Sequence, residues 1–183
     1  MILKLRIYSQ GNFVFDSVSV QINALNINTK ESEFGPFKVA NKLYYTSSRE
    51  RRIGVLNLEE TTGHQMLDLY VGELRDSVTV SNSKPLKNSI NNSLNQGSSF
   101  FDQENSKLYY SGNVRADYKG EKYKLAIFSS EWKDGKFLNP KIELLLPDTF
   151  LASHPMIYGK KLYFSSNLKG GKGKADLYCA EQV

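Results

Sequence analysis

The sequence predicts an all-β chain assembled from repeated small antiparallel sheets, and two observations carry that expectation. The first is repetition. Leu43-Tyr44-Tyr45-Thr46-Ser47, Leu108-Tyr109-Tyr110-Ser111-Gly112 and Leu162-Tyr163-Phe164-Ser165-Ser166 share one pattern: leucine, two aromatics, then small residues. A turn and a lysine precede each copy, in Ala40-Asn41-Lys42, Glu104-Asn105-Ser106-Lys107 and Gly159-Lys160-Lys161. An apolar pair follows each, in Leu69-Tyr70, Ile127-Phe128 and Leu177-Tyr178. The second is composition. Eleven tyrosines and ten phenylalanines favour strands, and no stretch keeps a helical period over three turns.

Repeats of roughly 40–50 residues with about four strands each are the mark of propeller blades. The leucines at 43, 108 and 162 lie further apart than that, and the excess sits in polar loops. The expected fold is therefore a partial β-propeller of about three four-stranded antiparallel blades, near 34–80, 98–144 and 153–183, with N-terminal strands in 1–24. Three wedges do not close a ring, so residues 25–183 are expected to be part of a larger propeller. Open blade edges and faces would then favour self-association.

In chain order, residues 1–24 alternate apolar and polar, with Gln10-Gly11-Asn12 as a tight turn between two strands. These strands are candidates to complete the last blade. In the first blade, Asp76-Ser-Val-Thr-Val80 reads as the outer strand, and Ser48–Arg52 and Glu59–Gln65 as polar loops. Residues 81–97, rich in Asn and Ser, read as a long surface loop. The second blade comprises Ser98–Asp102, Lys107–Ser111, Tyr123–Ser129 and Phe137–Leu144. Its turn falls over Ser130–Lys136, where Asp134-Gly135 is a hairpin signal. Trp132, the sole tryptophan, is expected to pack between blades. The third unit is a run ending at Tyr158, the strand Lys161–Ser165, a glycine-rich connection and the strand Ala175–Cys179.

These residues carry a resemblance. The unit resembles the WD-repeat-like (PD-type) β-propeller repeat of OmpA-like outer-membrane proteins of the Bacteroidetes type, including those linked to type IX secretion, and more distantly TolB-like propellers. Asn26–Pro36, Leu67-Asp-Leu-Tyr70, His154-Pro155 and Gly170-Gly-Lys-Gly-Lys-Ala-Asp-Leu-Tyr178 are similar to its blade signatures. The positions that match are Pro36, Leu43, Tyr44, Leu69, Tyr70, Leu108, Tyr109, His154, Pro155, Leu162, Tyr163, Gly170, Gly171, Gly173, Asp176 and Tyr178. The resemblance spans roughly residues 24–183, without the helical repeats and peptidoglycan-binding domain that flank such propellers. It implies a periplasmic, outer-membrane-associated setting and a scaffold that binds envelope proteins.

Other chemistries find little support in the residues. The net charge of +5 is dispersed rather than gathered into one stripe. The aromatics occupy alternating strand positions, which leaves few to stack on nucleic-acid bases. Met1–Tyr8 is interrupted by charges and is not a signal peptide, and no run has the length of a membrane helix. The single Cys179 excludes an intrachain disulfide and is expected to be a buried or half-buried strand thiol. Gly170–Lys174 lacks the Ser/Thr and following helix of a phosphate loop, so it reads as a turn needing positive φ. His64 reads as a solvated loop residue, and His154 as a structural residue that hydrogen-bonds a neighbouring blade. No cofactor, metal site or catalytic residue is expected. The alternative is a carbohydrate- or peptide-processing propeller whose channel mouth would bring Asp102 and His154 together.

Overall fold

Each of the three Leu-aromatic-aromatic segments becomes the second strand of its own antiparallel sheet. The computed structural model describes residues 12–15, 18–49, 66–87, 90–92, 94–115, 123–147 and 149–181. A hairpin of β1 (Asn12–Phe15) and β2 (Val18–Gln21) comes first. The first sheet is β3 (Glu33–Val39), β4 (Lys42–Ser47), β5 (Asp68–Leu74) and β6 (Val80–Pro85). The second is β7 (Gln96–Asp102), β8 (Lys107–Arg115), β9 (Tyr123–Lys133) and β10 (Lys136–Leu144). The third is β11 (Ala152–Tyr158), β12 (Lys161–Ser166) and β13 (Asp176–Glu181). Within every sheet the strands pair in chain order, so each is a plain up-and-down meander.

Turn residues explain where the first two strands of each sheet meet. Ala40-Asn41 and Gly159-Lys160 are two-residue turns whose first residue has positive φ, at 51° and 58°. Positive φ lets a tight turn match the right-handed twist of its strands. In the second sheet Asp102 does that work. Its Oδ1 accepts the amide N–H groups of Glu104 and Asn105 at 3.0 and 3.1 Å, an Asx turn that starts the reversal.

The internal equivalence extends to the backbone. In each first strand one extra residue of positive φ makes a bulge at the same register position: Gly35 at 62°, Ser98 at 36° and His154 at 54°. The aromatic that follows the next position in the motif then stacks on its third-strand partner in all three sheets. Tyr45 pairs with Tyr70, Tyr110 with Phe128 and Phe164 with Tyr178, with ring centroids 5.8, 5.3 and 6.1 Å apart. Pro36 and Pro155 each follow the bulge residue on an edge strand, where the missing N–H disturbs no central ladder.

Alternation along these strands gives each sheet two apolar faces. The forward face carries the first aromatic of the motif (Tyr44, Tyr109, Tyr163), and the back face carries the leucine and second aromatic. Tyr44 and Leu69 of the first sheet's forward face are buried against Leu108 and Tyr110 of the second sheet's back face. Tyr109 and Ile127 are buried in the same way against Ala152, Leu162 and Phe164 of the third. The main close backbone approaches between sheets involve β7 or β11, the first strand of the following sheet, and include β3 with β7. Burying a leucine or aromatic fully is worth about 1.5–3 kcal/mol, so these two interfaces dominate the stability of the stack.

The first sheet's back face is closed differently. Ile27 and Leu25 pack on Tyr45, Tyr70 and Val80. Asn26 then behaves as an extra strand residue: its Oδ1 accepts Val80 N–H at 2.7 Å and its Nδ2 donates to Val80 O at 3.0 Å. Arg49 lies over the Tyr45 and Tyr70 rings, 5.4 and 5.1 Å from their centroids, and donates to Ile27 O and Glu33 Oε1. Read from sequence as part of a polar loop, it is instead a cover for an aromatic pair.

Several expectations are corrected. The outer strand of the first sheet is Val80–Pro85, not 76–80, because Asp76 Oδ1 accepts from Val78 and Thr79 N–H and turns the chain there. Residues 81–97 are not one surface loop: they supply β6, and Ile90, Asn91 and Gln96 are buried. Asn91 is bound to both Leu69 N–H and Leu69 O, at 2.9 and 2.8 Å. Strand β9 runs on to Lys133, so the turn is Asp134-Gly135 alone rather than 130–136. The third sheet has three strands among the described residues, as its segments read from sequence, so the general figure of four per sheet does not hold there. The hairpin β1–β2 pairs internally, and residues 1–11 of the N-terminal strands read from sequence lie outside the described residues. Cys179 is exposed, neither buried nor half-buried. Gln10, Gly11, His64 and residues 50–65 lie outside the described residues.

Candidate functional site

Sheets that meet through their first strands leave clefts between their outer parts, and two of these carry side chains suited to recognition. The cleft between the first and second sheets holds about 260 Å³. Its floor is aromatic. Trp132 and Phe137 have ring centroids 4.7 Å apart, and Tyr44 meets them edge-on at 6.0 and 5.5 Å. Trp132 thus packs between sheets, and one side of it lines the cleft. Lys42, Lys84, Lys87 and Lys136 stand around this floor, and no acidic side chain lines it among the described residues. Burial pushes the Tyr44 phenol up to about 12, so it stays neutral across the physiological range.

The cleft between the second and third sheets is larger, about 800 Å³, and differs in chemistry. Asp102, Glu143 and Glu181 face Lys107 and Lys160 there. Glu143 and Lys107 are engaged with each other. Glu143 accepts the Ser129 hydroxyl at 2.7 Å and lies 3.5 Å from the ammonium groups of both Lys107 and Lys141. Burial pushes its carboxyl up, but the Ser129 hydrogen bond and the two lysines outweigh this and hold it below the ordinary value. Lys107 also sits over the Tyr109 ring at 5.1 Å.

The residues singled out from the sequence fall into distinct places. Leu43 and Tyr70 lie in the first sheet's back-face core, Tyr44 and Leu69 in its forward face, and Pro36 after the bulge on β3. Leu108 and Tyr109 lie on opposite faces of β8, and Leu162 is buried against Tyr109 while Tyr163 is exposed. In the glycine loop, Gly170 has φ 97°, Gly173 N–H donates to Asp176 Oδ2 at 2.9 Å, and Tyr178 OH donates to Leu168 O at 2.6 Å. A Cβ on Gly171 would collide with Asp176 and the Tyr178 hydroxyl. The loop is a backbone turn held by Asp176.

Asp102 and His154 are not brought together. Asp102 pairs with Lys107 at the start of β8, whereas the His154 amide donates to Ser111 Oγ, four residues along that strand, at 2.9 Å. His154 does hydrogen-bond the neighbouring sheet, but through its backbone. Among the described residues its exposed ring hydrogen-bonds only Ser153 Oγ, at 3.0 Å. Among the described residues no group of three His, Cys, Asp or Glu side chains stands together as a metal site, and no helix is long and apolar enough to cross a membrane. The lysine rim was missed from sequence because its members come from β4, β6, the connection after it and β10. Only the fold gathers them.

The fold defines an all-β protein of three antiparallel sheets with a basic, aromatic-floored cleft between the first two. Comparison with known proteins returns no match: no family model, no curated protein and no solved structure.

Proposed function

We propose that this chain is a non-enzymatic protein-binding scaffold, an arc of a β-propeller whose inter-sheet cleft takes an acidic segment of a partner. The observation that carries the reading is the cleft of Tyr44, Trp132 and Phe137 rimmed by four lysines. An apolar floor supplies desolvation energy, and a rim of one sign selects a partner of the other. The propeller part of the reading is supported by sheets that approach each other through β3, β7 and β11, the arrangement of wedges around a common line. The bacterial outer-membrane setting is supported by the blade-like motifs alone.

Trp132, the only tryptophan, gives a direct test, because it lies on the cleft floor. Titration with an acidic peptide containing one phenylalanine is expected to change its fluorescence saturably, whereas a basic peptide of the same length gives no response. Lys84→Glu with Lys136→Glu is expected to weaken binding about tenfold or more, the equivalent of ~1.4 kcal/mol. Rising salt is expected to weaken it as well. An equal response to both peptides would defeat the proposal.

A further inference from the structure

The forward faces of the three sheets are equivalent position by position, but only two are covered. Tyr44, Tyr109 and Tyr163 occupy one register position and are 2%, 8% and 38% exposed. Leu69, Ile127 and Leu177 occupy another and are 1%, 0% and 83% exposed. Met156, beside Tyr163, is 46% exposed, where its counterparts Phe37 and Phe100 are partly buried in the interfaces. The third sheet therefore presents the apolar set that its two predecessors bury.

The two covered faces state what chemistry fits the open one. Each is closed by a leucine and an aromatic two residues later on the second strand of the next sheet: Leu108 and Tyr110 in one case, Leu162 and Phe164 in the other. Among its described residues a second copy of this chain has such a surface only on its first sheet. There, Ile27, Leu25 and Arg49 already close it.

We infer that the open face of the third sheet is the seat of a further antiparallel sheet of the same repeat, which lays a Leu-x-aromatic strand over Tyr163 and Leu177. This rests on the repeat-sheet part of the proposed function and is independent of the lysine cleft. Polar partners fit the seat poorly, since its centre is Met156, Tyr163 and Leu177. Its border carries the Lys161–Glu181 pair at 3.9 Å.

Cys179 is the only cysteine, is exposed, and sits opposite Tyr163 on this face, so its thiol reports coverage. The full chain is compared with chains extended after Val183 by a copy of residues 145–181 or of residues 96–144. Any cysteine in the added copy is replaced by serine. Maleimide labelling of Cys179 is expected to be fast in the native chain and independent of protein concentration. At least one extension is expected to slow it about tenfold or more, the mark of a thiol reached only by local opening. Aspartate at the added leucine and aromatic, Leu162→Asp with Phe164→Asp or Leu108→Asp with Tyr110→Asp, is expected to restore fast labelling.

Protection by neither extension would overturn the inference. So would labelling of the native chain that slows with concentration and recovers in Leu177→Asp, since that assigns the face to a second copy. Trp132 fluorescence with the acidic peptide is unchanged in every arm if the cleft reading holds, so the two readings fail separately.

Discussion

Single side chains do backbone work in this protein, and Asn91 is the clearest case. Bonded to both Leu69 N–H and Leu69 O, it gives that N–H its acceptor and shares the carbonyl with the Leu86 N–H. Asn91→Ala leaves the Leu69 N–H unpaired, while Leu69 O keeps the Leu86 N–H at 2.8 Å, and is expected to cost about 1–3 kcal/mol in denaturant unfolding. Thr46 presents the opposite case. Its hydroxyl is buried with no partner among the described residues, while the equivalent Ser111 hydroxyl receives the His154 amide. Thr46→Val is expected to be neutral or stabilising by up to about 1 kcal/mol, and destabilisation by more than that would reveal an unseen partner. Glu33 carries a pH dependence. Burial pushes its carboxyl up, but hydrogen bonds from Thr29, Ser47 and Arg49 more than offset this and hold it below the ordinary 4.5. A carboxyl lowered by folding stabilises fully above its unfolded value, and that contribution is lost as pH falls through the folded value. Glu33→Gln is therefore expected to cost about 1–3 kcal/mol at neutral pH, with the gap to wild type narrowing as unfolding is followed to acid pH.

The same position in different sheets carries different energy, because an element's environment and not its sequence sets the worth of a side chain. Leu69→Ala and Leu108→Ala are expected to cost about 2–5 kcal/mol, as buried leucines do, whereas Leu177→Ala is expected to stay within about 0.5 kcal/mol. A large cost at Leu177 would mean the third sheet's forward face is covered in solution. Strands β4, β8 and β12 were legible in the sequence because a lysine, a turn and alternating aromatics agree on one register. Strand β6 was not legible. Ser81-Asn-Ser-Lys-Pro85 has poor intrinsic strand propensity and is held by pairing with β5, a tertiary contact that local pattern does not encode. Arg49 and Cys179 were misread for the same reason: each sits on a sheet face whose cover, or lack of one, is set by residues far away in the chain. The bulges were half-legible. Gly35-Pro36 and His154-Pro155 announce an irregular strand, but Ser98 does not, and only the register shows that the three are equivalent.

At the scale of the molecule, a row of sheets whose cores join neighbours gains stability from nearest-neighbour interfaces. The second sheet is sandwiched between the other two, the first is closed behind by Ile27 and Leu25, and the third is packed on its back face alone. Opening the third sheet therefore breaks one interface, while opening the second breaks both. Hydrogen exchange should follow that order. Amides of β8 and β9 are expected to exchange slowest, near the rate of global unfolding, and those of β13 fastest among the strands of the three sheets, since β13 is an edge strand of the third sheet with Leu177 in solvent. Leu108→Ala is expected to speed exchange in the first and second sheets together, because its side chain belongs to their shared core. Phe164→Ala, in the other interface, should leave the first sheet's protection largely unchanged. Equal protection of β13 and β8 would contradict this gradient and mean that the three sheets open only as one cooperative unit.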